Sequence, residues 1–309
     1  MKTFREYILG EYEKVSIFVA ALIGGIKMGS IYALIAIGYS IVYSIMGLIN
    51  FAHGELLMIA TFATWSLMGA GLPFGLAVIL AIAITIGVGV LIERVAYRPV
   101  RNRGEETQVI TSLAVSILIE SVYQSVYGSS NKSLIVPAFF SQRVQVAGIT
   151  ISVINVIIVA MTVLLLLGIT LLLKKTRLGR AMRAVADNGE AADLMGIDRN
   201  KVIVSAFVIG SGLAAIAGIM YTGEYIAFSP TMGFMLGVKA FIAAVIGGLG
   251  SINGAALGGL VMGMLEMFFA VFLPGSILSY QTAIVFVVMI IILLVRPNGL
   301  LGTDKGRRS

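Results

Sequence analysis

The chain has 309 residues, 59% hydrophobic and 12% charged, with a mean hydropathy of +1.01, a balance that excludes an ordinary water-soluble domain. It contains no cysteine, so disulfide frameworks, thiolate metal sites and cysteine nucleophiles are excluded. The formal charge of +7 comes from basic residues in short connections between apolar runs, where they orient a chain on a membrane, and no nucleic-acid partner is expected.

The first sixteen residues, MKTFREYILGEYEKVS, mix both charge signs and end in no small-residue cleavage site, so no removable signal peptide is expected. Phe4, Tyr7, Ile8 and Tyr12 fit either one face of a short interfacial helix or a partly ordered tail. Apolar runs follow at 17–49, 55–71, 73–96, 109–127, 149–173, 203–223, 238–273 and 279–295. They are continuous rather than alternating, which selects helices over barrel strands. The expectation is an all-α membrane protein, a polytopic bundle of about eight spans forming a single transmembrane domain over 1–309. At 1.5 Å per residue, 17–49 and 238–273 are too long for one ordinary span. Both are predicted to be broken or re-entrant, the first at Gly24, Gly25 and Gly29, the second at Gly247, Gly248, Gly250 and Gly254.

Lys and Arg near span ends are retained on the cytoplasmic side. The segment 94–106, the segment 174–201 and the C-terminus with Arg296, Lys305, Arg307 and Arg308 are therefore predicted to share the cytoplasmic face, leaving 128–148 outside. Gly25-Ile26-Lys27 and Gly237-Val238-Lys239 are a short match between two halves, which either a repeat or Gly-rich composition produces.

The segment KKTRLGRAMRAVADNGEAADLMGIDRNK at 174–201 is longer and more polar than a connection between membrane helices requires. Arg180–Asp187 and Glu190–Met195 favour helix, with Gly196 as a stop. The second piece presents Ala191, Leu194 and Met195 as a small apolar face, which suits either docking in a partner's groove or a solvated, topology-fixing loop.

The chain has no phosphate loop of the form Gly, four residues, Gly-Lys-Ser/Thr, so ATP is not expected to bind by that device. Its one histidine, His53, has Glu55 nearby but no second histidine to share a metal, and no catalytic constellation or cofactor site is expected. Ionisable residues within or near the spans are Lys27, Glu55, Glu120, Glu224, Lys239 and Glu266. Glu120 and Glu224 read best as span-end or subunit-contact residues, whereas Lys27 and Lys239 adjoin the expected breaks and are candidates to line a cavity. Asn50-Phe51-Ala52-His53-Gly54-Glu55 reads either as a helix interruption facing a pathway or, more plainly, as an Asn50 cap on the next helix. The candidate substrate pathway is Lys27, Asn50, His53, Glu55, Lys239, Gly247 and Gly248. Gly254 with Gly258, and Gly259 with Gly263, permit close helix packing.

INFAHGELLMIA at 49–60, ERVAYRPVR at 93–101, TRLGRAMRAVADNGEAADLMGI at 176–197, SPTMGFMLGVKAFIAAVIGGLGSINGA at 229–255 and RPNGLLG at 296–302 resemble the branched-chain amino acid ABC transporter permeases of the LivH type, a likeness running from about residue 20 to 302. The resemblance implies a permease subunit of an inner-membrane importer, assembled with a second related permease, two cytoplasmic ATPases that bind the ATP, and an extracytoplasmic solute-binding protein. It also implies that Glu190, Ala191, Ala192, Asp193, Leu194, Met195, Gly196 and Ile197 form the coupling helix that meets an ATPase. The chain departs from the family pattern at Ala60-Thr61-Phe62 and at Asn253, which bears on specificity. A urea or short-amide permease shares much of this motif set, and an ion-coupled transporter or channel is the rival of a different class, one that needs no docking helix.

Overall fold

The computed structural model describes residues 4–140, 142–146 and 149–301. Chain order is α1 Phe4–Met46, α2 His53–Gly69, α3 Phe74–Ile92 running into a π turn at Glu93–Tyr97, α4 Glu105–Tyr127, α5 Val153–Lys175, α6 Arg177–Asp187, α7 Gly189–Leu194, α8 Arg199–Tyr225, α9 Met232–Gly247, α10 Ile252–Phe272 and α11 Gln281–Val295. Among the described residues, seven helical stretches are long and apolar enough to cross a membrane: Ile17–Met46, Phe74–Val100, Glu105–Tyr127, Val153–Lys175, Arg199–Tyr225, Ile252–Phe272 and Leu278–Val295. Helices α2 and α9 are shorter, and protein rather than lipid covers much of them. The chain is thus a multi-pass, all-α membrane protein.

Two ends of the bundle are distinct. Residues 98–103, which lead into α4, and α6 and α7, which lead into α8, lie at one end, opposite the paired far ends of α4 and α8. Pro297 and Asn298 border the same cavity as Arg183 of α6, which puts Arg296 there too; this is here the basic end. The other carries Lys132–Ser133 paired antiparallel with Ala227–Phe228, which puts the connection after α4 and the one after α8 on the same side. A hairpin, Arg143–Val146 with Ile149–Ser152, precedes α5. The C-terminal residues 302–309, with Lys305, Arg307 and Arg308, lie outside the described residues, as do the side chains of Phe4, Tyr7, Ile8 and Tyr12.

The predicted break within 238–273 is present: α9 stops at Gly247, and Gly248 and Gly250 take φ of +110° and +87°. Ser251 then caps α10, its Oγ accepting from the Gly254 amide at 3.1 Å. The last carbonyls of α9 are met from far along the chain, by the Leu300 amide on Ile246 at 2.6 Å and the Leu301 amide on Gly247 at 3.0 Å. This accounts for Arg296-Pro297-Asn298-Gly299-Leu300-Leu301: Gly299, at φ +78°, seats against Gly248 and closes a helix end that would otherwise leave orphan carbonyls.

The break expected at Gly24, Gly25 and Gly29 is absent, because α1 runs unbroken to Met46. These glycines serve packing instead. Gly29 faces the Leu260 backbone, Gly25 faces Met264, and Gly263 and Gly259 of α10 lie on the backbones of Gly29 and Ala33. Gly258 and Gly254 repeat the device against Ala243 and Gly247 of α9, so the small residues of α10 serve two neighbours. In lipid such packing must supply most of the association, since an interhelical hydroxyl pair such as Thr61 with Thr222, at 3.1 Å, is worth only about 0.6 kcal/mol.

Candidate functional site

Helices α2 and α9 position the charged interior. Their backbones meet where Gly54 lies on Gly237, and Gly233, in the first turn of α9, abuts the Glu55 carboxylate. Glu55 is fully buried; Ser116 of α4 donates to its Oε1 at 2.8 Å, while its Oε2 has no partner among the described residues. His53 fills a notch between Gly38 of α1 and Gly210 of α8, where a Cβ on either would press on the imidazole. Its ring centroid lies 4.6 Å from that of Tyr39, and its Nε2 has no hydrogen-bond partner among the described residues.

Asn50 does not cap α2. That position falls to Ala52, without a side-chain bond, and the Asn50 Oδ1 instead accepts from the Tyr97 hydroxyl at 2.5 Å. The π turn explains the difference: it brings Tyr97 inward and lets Arg98 reach back to the fully buried Glu93, both carboxylate oxygens at 3.3 Å. Sequence reasoning missed Glu93 and Tyr97. The local signal was a Glu and an Arg five positions apart, the spacing a π turn aligns.

Both lysines predicted to line a cavity are paired. Lys27 of α1 bonds Glu224 of α8 and lies 5.8 Å from the Tyr225 ring centroid. Lys239 of α9 bonds Glu266 of α10 at 2.5 Å, and Tyr32 of α1 donates to the other oxygen of Glu266 at 2.6 Å. These pairs tie α1 to α8 and α9 to α10, and leave each charge compensated in a region where an isolated one is costly. Among the seven predicted pathway residues, Lys239 lines a cavity, of about 390 Å³, whereas Asn50, His53 and Glu55 are packed and Gly247 and Gly248 build the end of α9. A second cavity of about 820 Å³ opens at the basic end beside the α9–α10 turn, bordered by Ser44, Lys174, Arg183, Asp187, Ser251 and Asn253.

At the same end α6 and α7 form a capped pair. Thr176 starts α6, accepting from the Gly179 amide at 3.0 Å, and Met182 and Val185 bury its apolar face. Asn188 starts α7, accepting from the Ala191 amide at 3.0 Å, and Asp198 starts α8, accepting from the Lys201 amide at 3.1 Å. That amide is the first cause holding the exposed Asp198 carboxyl below its usual range, followed by the Lys201 side chain. Ala192 is buried and anchors α7; Gly196, at φ +80°, turns the chain back. Between these fixed points Leu194 and Met195 stand 89% and 82% exposed, while Glu190, Asp193 and Ile197 flank them and Ala191 lies on the same turn.

Residues 21–293 match the family described as branched-chain amino acid transport system, permease component. The chain belongs to this family. It is 38% identical over 307 residues to the high-affinity branched-chain amino acid transport system permease protein LivH of Escherichia coli, covering 95% of this chain and 98% of that one. It is 38% identical over 300 residues to the corresponding permease BraD of Pseudomonas aeruginosa, covering 93% and 97%. A 145-residue stretch is 30% identical to the fructose import permease protein FrcC of Rhizobium meliloti, covering 45% of this chain and 39% of that one. No solved structure matches the chain. Membership in this permease family makes the chain a transport component rather than an enzyme, and among the described residues no group of three or more His, Asp or Glu gathers to hold a metal.

Proposed function

We propose that this chain is the permease subunit of an ATP-driven importer that carries leucine, isoleucine or valine across the inner membrane, its residues 1–309 acting as one transmembrane domain and 174–201 as its cytoplasmic coupling segment. The observation that carries this reading is the tip of α7. Leu194 and Met195 are held 89% and 82% exposed by a side-chain cap on each side of the tip, Asn188 before it and Asp198 after it, rather than lying in a slack loop. Two large apolar side chains fixed in water suit docking into a partner's groove; of the expected coupling helix Glu190–Ile197, the residues up to Leu194 are helical and Met195–Ile197 form the turn that leads into α8.

The partners are two ATPases that bind and hydrolyse ATP, a second related permease, and an extracytoplasmic protein that delivers the amino acid. The full-length likeness to LivH and BraD supports that assembly and the aliphatic substrate. The positive charge of 94–106, 174–201 and the C-terminus supports a cytoplasmic basic end, where the ATPases sit. Movement of the α7 tip passes through the Asp198 cap into α8, whose far end carries Glu224 and its bond to Lys27 of α1. An ATPase stroke at one face thereby bears on a charged contact near the other.

The test is purification in mild detergent, with identification of partners and assay of ATP hydrolysis with and without binding protein plus leucine. Recovery of an ATPase and a second permease with leucine-stimulated hydrolysis is expected. Stimulation by urea but not leucine would move the substrate to short amides, and leucine transport without ATP would overturn the importer class.

A further inference from the structure

Glu120, set aside in the sequence as a span-end residue, borders the same cavity as Lys239. That cavity, about 390 Å³, lies between α4, α8 and α9 and is lined by Glu120, Tyr221, Met232, Met235, Leu236 and Lys239 among others. Glu120 lies fifteen positions past the start of α4, or roughly 22 Å from the basic end, in the far half of the bundle. The volume is in the range of small-molecule sites, and the lining has their composition: apolar walls with a few convergent polar groups.

We infer that this cavity is a transit site for a zwitterionic aliphatic amino acid, with Lys239 receiving the carboxylate, Glu120 the ammonium, and Met232 and Leu236 the side chain. The inference rests on the importer reading and gives it a location. Its chemistry follows from donors and acceptors still open. An ammonium has three N–H donors, of which Glu266 occupies one on Lys239. Gln124 donates to Oε1 of Glu120 at 2.8 Å, leaving that carboxylate further acceptor capacity. One positive and one negative group on a shared cavity complement a zwitterion and disfavour a neutral amide, which gains nothing from either charge. Because Lys239 is already neutralised by Glu266, it attracts a carboxylate without holding it tightly, as a site that must also release its cargo requires.

The chain has no cysteine, so Met235→Cys places a single thiol at the cavity wall, at a position 53% exposed. In the complete complex in proteoliposomes, without binding protein, maleimide labelling of this thiol is followed while leucine, 4-methylpentanoate (carboxylate only) or isoamylamine (ammonium only) is raised. Leucine is expected to protect and the two analogues to protect at least tenfold less well. Glu120→Gln is expected to raise the half-protecting leucine concentration about tenfold, the loss of one charge-assisted contact. Lys239→Arg, which keeps both charge and the bond to Glu266, is expected to retain protection where Lys239→Gln loses it. Equal protection by either analogue overturns the charge assignment. A thiol that no reagent reaches puts the wall behind a subunit contact and overturns the site. Absent protection in a complex that still transports leucine also overturns the site while leaving the importer reading intact; a complex that transports no leucine removes that reading and the site with it.

Discussion

The seam between α1 and α10 and the tip of α7 handle apolar surface in opposite ways. Along the seam, Gly25, Gly29, Gly259 and Gly263 remove side chains so that two backbones touch, and nothing outside the chain is needed to complete the contact. At the tip, Leu194 and Met195 keep large apolar side chains where this chain covers neither. A region satisfied by its own fold reports on stability; one left unsatisfied reports on an absent partner. The charged pairs Lys27–Glu224 and Lys239–Glu266 stand between these extremes, compensated yet with side chains 12% to 19% accessible.

The sharpest way to break the contrast is Gly263→Val. Any Cβ at 263 meets the amide nitrogen and Cα of Gly29, backbone atoms that yield only if the helices part. A loss on the order of 4 kcal/mol or more is expected, read as failure to recover a monodisperse protein in detergent. Full recovery with unchanged thermal unfolding would mean that the seam tolerates separation.

Next is Lys239→Ala, which strands Glu266. Removing one partner of a buried pair costs about 3–5 kcal/mol, and the partial access of this pair reduces the expectation to about 2 kcal/mol. Lys239→Ala combined with Glu266→Ala is expected to recover part of that loss in thermal unfolding, because no lone carboxylate remains. A double variant less stable than the single would show that Glu266 contributes mainly through Tyr32.

At the tip, Leu194→Asp is expected to leave insertion and unfolding unchanged while lowering leucine-stimulated ATP hydrolysis at least tenfold, since a charge then faces an apolar groove. Unaltered coupling would remove α7 as the docking element. A parallel loss of stability would place Leu194 in the fold's own packing, against its exposure.

What was legible in the sequence divides along the same line. Apolar run length located the spans, and the Gly-Gly-Leu-Gly-Ser run at 247–251 announced a real break because two of its glycines need positive φ. The helical piece of α7 and its Gly196 stop were legible because their signals lie within ten residues, whereas the Asn188 and Asp198 caps emerged only in the structure. Gly24, Gly25 and Gly29 misled, since the same residue both breaks helices and lets them touch, and only the partner, more than 200 positions away in α10, decides between the two. Asn50 misled for the same reason: its partner Tyr97 arrives through a π turn that no hydrophobic period records. The six ionisable positions were visible in the sequence, but Lys27 with Glu224 and Lys239 with Glu266 became pairs only in three dimensions, separated by 197 and 27 positions.

The smallest effect tests whether the α9–α10 break is a conformational requirement or a packing one. Gly250 has φ +87°, yet the nearest atom to an added Cβ is the Ser44 Cβ at 3.7 Å, an ordinary contact. Gly250→Ala therefore meets backbone strain alone, and about 1 kcal/mol is expected, the cost of placing an L side chain in the left-handed region. Gly299→Ala, with φ +78° but Gly248 directly against it, should cost distinctly more in the same thermal unfolding measurement, because strain and collision add. Equal losses would mean that the C-terminal segment gives way to the new methyl group, so that the end of α9 depends on its own turn rather than on the Leu300 and Leu301 amides that meet its carbonyls.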